Sequence, residues 1–430
     1  MDCPVTESQR TPPELVKEGF PLITCKKIEA SVLDQFVNDS DYGHYMKTSM
    51  WAEIKKKEKY HPVYLGFYDQ DQLTGTAMIL EKKQWDIHYF YVPWGPCINY
   101  NDKNRTEDCI KALIGFAEKN KVDFLRIDPN VLRMARDIKG NEIEGGENHE
   151  EITELLKSLG FIHKGYGYAY NGSWVNRYTL IIDITSSMEE ITKHFSKARQ
   201  NSLRRHAVIG VSTRLGNRED LPDLCEFERQ LAEIQGFKPH PQSFFEDILN
   251  AFKEHAVLYV TEIDLDQMIN GIQQEIDSGK YHKDPEALQS KQKEMGKAAD
   301  LKERFGAHPK IAAGLFIRFG IHSWDLYTYN HKDFNFIKAV DNLHHFAIED
   351  MKEHGVTRYD MCGFSGVTVK SDPYFGLYDY KRSFGSDFTE QIGEFDYIRN
   401  PSRTERWKKI DHLRRRIRRK LASMKYGKKK

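Results

Sequence analysis

At 430 residues, with 39% hydrophobic and 12% aromatic residues, the chain is long enough for two or three packed domains and too apolar to be disordered. Lys+Arg and Asp+Glu number 64 each, but residues 403–430 hold fourteen basic residues against two acids (Glu405, Asp411), which leaves an acidic body behind a basic tail. Such a tail points to a polyanionic partner, and no run approaches the ~18 apolar residues of a membrane-spanning helix.

Residues 1–25 are weakly patterned, carry Pro12-Pro13 and read as an N-terminal extension. A basic stretch followed by an apolar one is missing at the start, so no signal peptide is expected. Cys3, Cys25, Cys97, Cys109, Cys225 and Cys362 form no CxxC, which argues against a zinc knuckle and for free thiols in a reducing cytoplasm. The Asn171-Gly172-Ser173 triplet then carries no glycosylation meaning. Helical spacing covers 28–37, and a second helix holds Trp51 and Lys55. A hairpin follows (63–68 and 74–80), then a strand at 87–92 that ends in Pro93-Trp94-Gly95-Pro96. An amphipathic helix over 105–120 precedes a short buried strand, 124–127, closed by Asp128-Pro129; a helix over 150–159 stops at Gly160.

The second half repeats this order. A strand at 178–184 and helices over 187–206, 219–235 and 241–254 lead to a strand at 257–263. A hairpin (311–319, 323–329), a helix over 335–354 and a strand at 358–361 follow. Hairpin, helix, short strand and special turn recur, so the chain reads as an internally duplicated α/β (α+β) fold. The segment 264–308 interrupts the repeat. Its apolar stripes, Leu265, Met268, Ile269, Ile272 and Ile276, then Leu288, Met295, Ala299 and Phe305, are narrow. They fit either an antiparallel helical hairpin standing off the body or two ordinary surface helices.

Familiar catalytic motifs are missing: there is no GxxxxGK[ST], GxSxG, HExxH or DxDxG. His344-His345 are adjacent in a helix and point apart, so no shared metal is expected, and no spacing suggests a nucleophile and base. Neither metal nor cofactor is expected. Three places stand out: Trp51 and Lys55, which share a helix face; Asp128 at the end of a buried strand; and Lys381 amid Tyr378, Tyr380 and Phe384. Taken alone, Lys381 reads as a solvated lysine with a packed stem.

Seven motifs in order change that reading: Trp51-Ala52-x-x-Lys55, Leu125-Arg126-Ile127-Asp128-Pro129, Gly160-Phe161-x-x-Lys164, Gly236-Phe237, Tyr359-Asp360-x-x-Gly363, Tyr380-Lys381-x-x-Phe384-Gly385 and Ile392-Gly393-Glu394-Phe395-Asp396. Together they resemble the FemABX aminoacyltransferases over roughly residues 40–420. The resemblance implies two tandem GNAT-like acyltransferase domains, 26–177 and 178–395, with a coiled-coil arm at 264–308 in the second and a C-terminal basic helix or tail at 396–430. It implies transfer of an amino acid from aminoacyl-tRNA to the side-chain amine of the third stem-peptide residue of a peptidoglycan precursor. The acceptor is lipid II or UDP-MurNAc-pentapeptide, and the product is a cell-wall interpeptide bridge. The donor ester is already activated, so aminoacyl-tRNA is a co-substrate and no other cofactor is called for.

On this resemblance Lys381 steadies negative charge on the ester carbonyl. Asp128 orients the ammonium or accepts its proton, and reads equally as a turn-capping residue. Lys55 meets the acceptor's diphosphate, and Trp51, Tyr327 and Tyr378 stand near substrate, Tyr327 serving equally as a core aromatic. The chain departs from the family pattern after Gly236-Phe237, where His240 stands for an arginine and Phe244 for a tyrosine. Histidine has no bidentate fork, so the phosphate contact weakens there. Cys362 stands where family members have glycine, in a turn expected to survive. Arg199, Arg204 and Arg205 face tRNA or solvent; Arg415 and Arg418, with 428–430, meet tRNA or the anionic inner leaflet, at about 1 kcal/mol per basic residue. The expected location is the cytoplasm, peripheral at the inner face of the plasma membrane. Two rivals remain: an acyl-CoA-dependent N-acyltransferase of GNAT type, opposed by the lack of a Q/R-x-x-G-x-G/A turn, and a non-catalytic RNA- or membrane-binding protein, opposed by the intact Lys381. Nothing in the sequence marks the oligomeric state.

Overall fold

The computed structural model describes residues 23–168 and 173–426. The expected extension up to residue 22, Asn171-Gly172 and Lys428–Lys430 lie outside the described residues. The first half runs β1 (Ile23–Lys27), α1 (Ala30–Asn38), α2 (Ser49–Lys57), β2 (His61–Asp69), β3 (Gln72–Gln84), β4 (Ile87–Val92), α3 (Lys103–Lys119), β5 (Phe124–Ile127), α4 (Glu150–Ser158) and β6 (Phe161–His163). The second runs β7 (Tyr178–Asp183), α5 (Met188–His194), α6 (Lys197–Val208), β8 (Val211–Leu215), α7 (Leu221–Gln235), α8 (Gln242–Phe252) and β9 (Ala256–Ile263). It continues with α9 (Leu265–Asp277), α10 (Pro285–Phe305), β10 (Lys310–Phe319), β11 (His322–Asn330), α11 (Val340–Glu353), β12 (Arg358–Gly363), α12 (Phe375–Arg382) and β13 (Asp387–Glu390). The chain ends with β14 (Phe395–Ile398) and α13 (Pro401–Tyr426).

These strands form two seven-stranded sheets, ordered β1-β2-β3-β4-β5-β14-β6 and β13-β7-β12-β11-β10-β9-β8. Each has four antiparallel strands and then a parallel neighbour, β5 beside β4 and β12 beside β11. The halves are therefore tandem GNAT-like domains of one plan. Their last strands are exchanged: β7, which follows the first half, completes the second sheet, and β14, which follows the second half, sits between β5 and β6. A boundary at 395/396 thus cuts a strand of the first sheet. Its reason is a buried ion pair: Arg126 of β5 donates from Nε and Nη2 to Asp396 of β14 at 2.7 and 3.0 Å. Two of the sequence motifs meet in that pair. A second clamp crosses the halves, where fully buried Glu390 accepts from Arg133, Arg136 and Arg177.

One core cluster covers the outer face of the second sheet, another the outer face of the first, and a third lies between the sheets. Central strands such as β10 are covered on both faces, which is why they read as apolar runs and not as alternating strands. The helix expected over 187–206 breaks at Phe195, whose ring packs 5.2 Å from Phe384 while Ser196 caps α6. Sequence reasoning passed over β1, β6, β8, β13, β14 and α12, all short elements. The helical hairpin α9–α10 is bound at its base, where Leu265, Met268, Ile272, Ala298 and Leu301 enter the second sheet's core, and exposed towards its turn.

Candidate active site

β11 and β12 pair in parallel only from His322–Trp324 to Arg358–Asp360, although both strands run further. Beyond that point they separate, and β12 carbonyls lose their ladder partners. Lys381, on α12, fills the notch: its Nζ donates to the carbonyls of Met361, Cys362 and Gly363 at 2.5, 3.2 and 2.9 Å. The side chain is 8% exposed, so the solvated-lysine expectation does not hold. An ammonium is tolerated here because each of its three protons has an acceptor and carboxylates stand near.

Those carboxylates are Asp360 and Asp325. Asp360 accepts from the Cys362 N–H at 2.7 Å. Burial pushes its carboxyl up to about 7, against the pull of that N–H and of Lys381. Asp325 accepts from Thr328 and is pushed by burial to about 6, with Lys381 again opposing. His344, 2.7 Å from the Tyr359 hydroxyl, is driven down to about 3 by burial and by the cations Lys381 and Arg199, so it is neutral. Cys362 adopts φ 61°, the left-handed conformation glycine favours, and burial raises its thiol, which makes it no thiolate nucleophile.

An aromatic wall faces the notch. Tyr45 stands 5.1 Å from Trp324 and 5.4 Å from Trp51, within electrostatic reach of Cys362, Tyr327 and Asp360. Lys55 lies 4.7 Å over the Trp51 ring and 2.6 Å from Glu58. The His240 ring stacks on Phe244 at 4.3 Å and meets Tyr327 edge-on at 5.4 Å, and its Nδ1 is 2.7 Å from buried Glu228. Tyr329 donates to the same carboxylate at 3.1 Å. The structure thus gathers Trp51, Lys55, His240, Phe244 and Tyr327 into one wall, which Tyr45 and Tyr327 bring within electrostatic reach of Cys362 in the notch.

Asp128 belongs to a different place. It accepts from the Tyr91 hydroxyl at 2.8 Å and from the Trp94 N–H at 2.5 Å, holding the turn where Trp94 and Gly95 take positive φ. Burial, then Glu394, raises its carboxyl well above the usual range. It shares no hydrogen-bond partner with Lys381. The geometry is that of a turn clamp.

Two cavities flank the notch. A cleft of 1430 Å³ between the halves is walled by His44, Trp94, Arg136, Trp324, Arg358 and Asp360. A cavity of 770 Å³ lies on the other side, walled by Ser196, Arg199, Thr328, Asn330, Asp341 and Tyr380. There Asn330 Oδ1, Asp341 Oδ2 and the Tyr380 hydroxyl are buried and have no hydrogen-bond partner among the described residues.

Comparison with known proteins decides the family: the model of the FemAB family matches residues 28–405. The chain belongs to the FemAB family. It is 25% identical over 395 residues to the lipid II:glycine glycyltransferase of Staphylococcus aureus (strain MRSA252), covering 85% of this chain and 91% of that protein. It is 27% identical over 395 residues to the protein of the same name from Staphylococcus epidermidis, with the same coverage. A crystal structure of FemX shares the fold at TM-score 0.73 and 23% identity, covering 89% of this chain and 98% of that one.

Other candidate residues of this FemAB-family chain have structural partners. Tyr378 donates to the Ile138 carbonyl and stacks 5.5 Å from Phe364, fastening the second half to the first. Arg199 donates to Asp341 at 2.5 Å and to Ser383 at 2.8 Å, with its guanidinium 4.5 Å over Tyr380, so it braces the lysine helix and is half-buried at the wall of the 770 Å³ cavity. Arg205 pairs with Glu294 of the hairpin, while Arg204 is exposed beside Asn201. Arg415 pairs with Asp411 at 2.7 Å, and Arg418 is exposed. Sequence reasoning missed Asp325, Asp360 and Glu228 as site residues. Only Asp360 carried a local signal, its place in the Tyr359-Asp360-x-x-Gly363 motif. Among the described residues no helix is long and apolar enough to cross a membrane.

Proposed function

We propose that this chain is an aminoacyltransferase that extends the stem peptide of a peptidoglycan precursor. It takes the amino acid from aminoacyl-tRNA, needs no further cofactor, and delivers it to the side-chain amine of the third stem residue, with the lipid-linked precursor as acceptor. The relatives named lipid II:glycine glycyltransferase support the acceptor class. One observation carries the reading: a buried ammonium at the open end of two diverging strands, with a carboxyl of raised pKa beside it.

The chemistry follows from that pair. The acceptor amine attacks the ester carbonyl, and the amine proton passes to Asp360, whose pKa of about 7 suits a general base at neutral pH. Negative charge develops on the carbonyl oxygen, and Lys381 turns a proton to it, giving up its longest contact, that to Cys362 at 3.2 Å. The tetrahedral adduct collapses: the C–N bond stays, the ester C–O bond breaks, and the ribose hydroxyl leaves with the proton from Asp360. The unpartnered polar groups of the 770 Å³ cavity suit the ribose end of the donor. Lys55 and the wall of Trp51, Phe244 and Tyr327 suit the acceptor's diphosphate and sugar. The test is incubation with a pool of charged tRNAs and lipid-linked precursor, followed by mass measurement of the product. An added aminoacyl mass is expected; no transfer from any charged tRNA overturns the reading.

A further inference from the structure

The start of α13 is docked. Trp407 packs 5.2 Å from both Tyr89 and Phe124, Lys408 lies 3.4 Å from Asp396, and the Arg414 guanidinium sits 3.7 Å over Trp85. From Ile410 onward another face is left bare. Ile410 is 37% exposed, Leu413 56%, Ile417 49%, Leu421 59% and Met424 71%. At 100° per residue these five side chains fall in an arc of about 80°, a narrow apolar stripe along roughly four turns. Basic residues flank it: Arg416, Arg418 and Lys420 are exposed. No acid follows Asp411.

We propose that this part of α13 is an interfacial membrane helix. It lies in the plane of an anionic bilayer, with Leu413, Ile417, Leu421 and Met424 at the boundary of headgroups and acyl chains and the flanking cations on lipid phosphates. The proposal deepens the functional reading and rests on it only for the benefit of being at a membrane, where a lipid-linked acceptor resides. Charge and stripe together select this occupant. RNA supplies phosphates but no apolar phase, so it leaves the stripe in water. A second copy of the helix covers the stripe but sets Arg416, Arg418 and Lys420 against their equals, with no acid after Asp411 to relieve them. A bilayer with anionic headgroups satisfies both features at once.

The experiment uses the full chain with phosphatidylglycerol-containing vesicles and with pure phosphatidylcholine vesicles in a flotation assay. Ile417→Ser with Leu421→Ser removes half the stripe and keeps every charge. Arg416→Gln with Arg418→Gln does the reverse. Both alter exposed side chains, and a filter assay with bulk tRNA serves as the control. Wild type is expected to float with anionic vesicles and not with neutral ones. The serine variant is expected to bind about 100-fold more weakly, with unchanged tRNA binding. The glutamine variant is expected to bind several-fold more weakly and with a shallower salt dependence. Wild-type vesicle binding by the serine variant overturns the proposal, as does a wild-type dimer that the serine variant dissolves in sedimentation, which assigns the stripe to a second copy. Loss of tRNA binding in the serine variant assigns the stripe to RNA and also overturns it. Failure here is separable from failure of the functional reading: transfer to lipid-linked precursor without vesicle binding removes the anchor alone, and vesicle binding without transfer removes the enzyme alone.

Discussion

Asp360→Asn separates two consequences of burying a carboxyl in the strand notch. In the folded chain burial raises this group from 3.8 to about 7. Three pKa units at 1.36 kcal/mol each set an upper bound of about 4 kcal/mol on what its ionisation costs the folded state at high pH. The sign follows from proton binding: between pH 4 and 7 the folded state holds this proton and the unfolded state does not, so the group erodes stability as pH rises through that window. Asparagine keeps an acceptor for the Cys362 N–H and cannot ionise. The variant is expected to match wild type below about pH 4, where the carboxyl is protonated in both states, and to exceed it by about 1–3 kcal/mol at pH 8, the smaller figure reflecting the ammonium of Lys381 left with one carboxylate fewer. Urea unfolding midpoints at the two pH values measure this. Turnover is expected to fall by about 10²–10⁴-fold in the same protein, and wild-type turnover to decline as pH drops below about 7. Equal pH dependence of stability in variant and wild type, or wild-type turnover in the variant, refutes the argument.

Lys381→Met is expected to lower turnover by about 10²–10³-fold while precursor binding, read by calorimetry, is retained; near wild-type turnover removes the charge-stabilising role. His240→Arg is expected to leave acceptor affinity unchanged or tighter, since a guanidinium keeps both the Glu228 partner and the Phe244 stack. A several-fold loss of affinity gives the histidine a role of its own. Arg126→Ala strands Asp396 without its partner in the first sheet and is expected to destabilise by about 3–5 kcal/mol in urea unfolding; a shift below about 1 kcal/mol shows that β14 is held otherwise.

The hairpins, the two parallel strands and the helical insertion were readable from apolar spacing and turn residues, because their signals are local. β14 was not: four residues, Phe395–Ile398, become a strand only because β5 and β6 receive them. Lys381 shows the same limit at a site. Composition gives it to solvent, the seven motifs give it a role, and only the divergence of β11 from β12 supplies the carbonyls that bury it. Arg199 sits in a basic helix and reads as a tRNA contact, yet its partners Asp341 and Ser383 are 142 and 184 residues away. Buried carboxylates such as Asp325 and Glu228 look like surface acids in a sequence, because what makes their burial tolerable lies on other elements.

The exchange of β7 and β14 also bears on how the chain is made. When a ribosome has released only the first half, β5 and β6 each face an empty lane, and the lane is filled only after residue 398 emerges. Until then β5 presents unpaired backbone, the kind of edge that templates aggregation. The lane closes across 270 residues of chain through Arg126 and Asp396, so the sheet whose strands begin to emerge first is the last to have all of them.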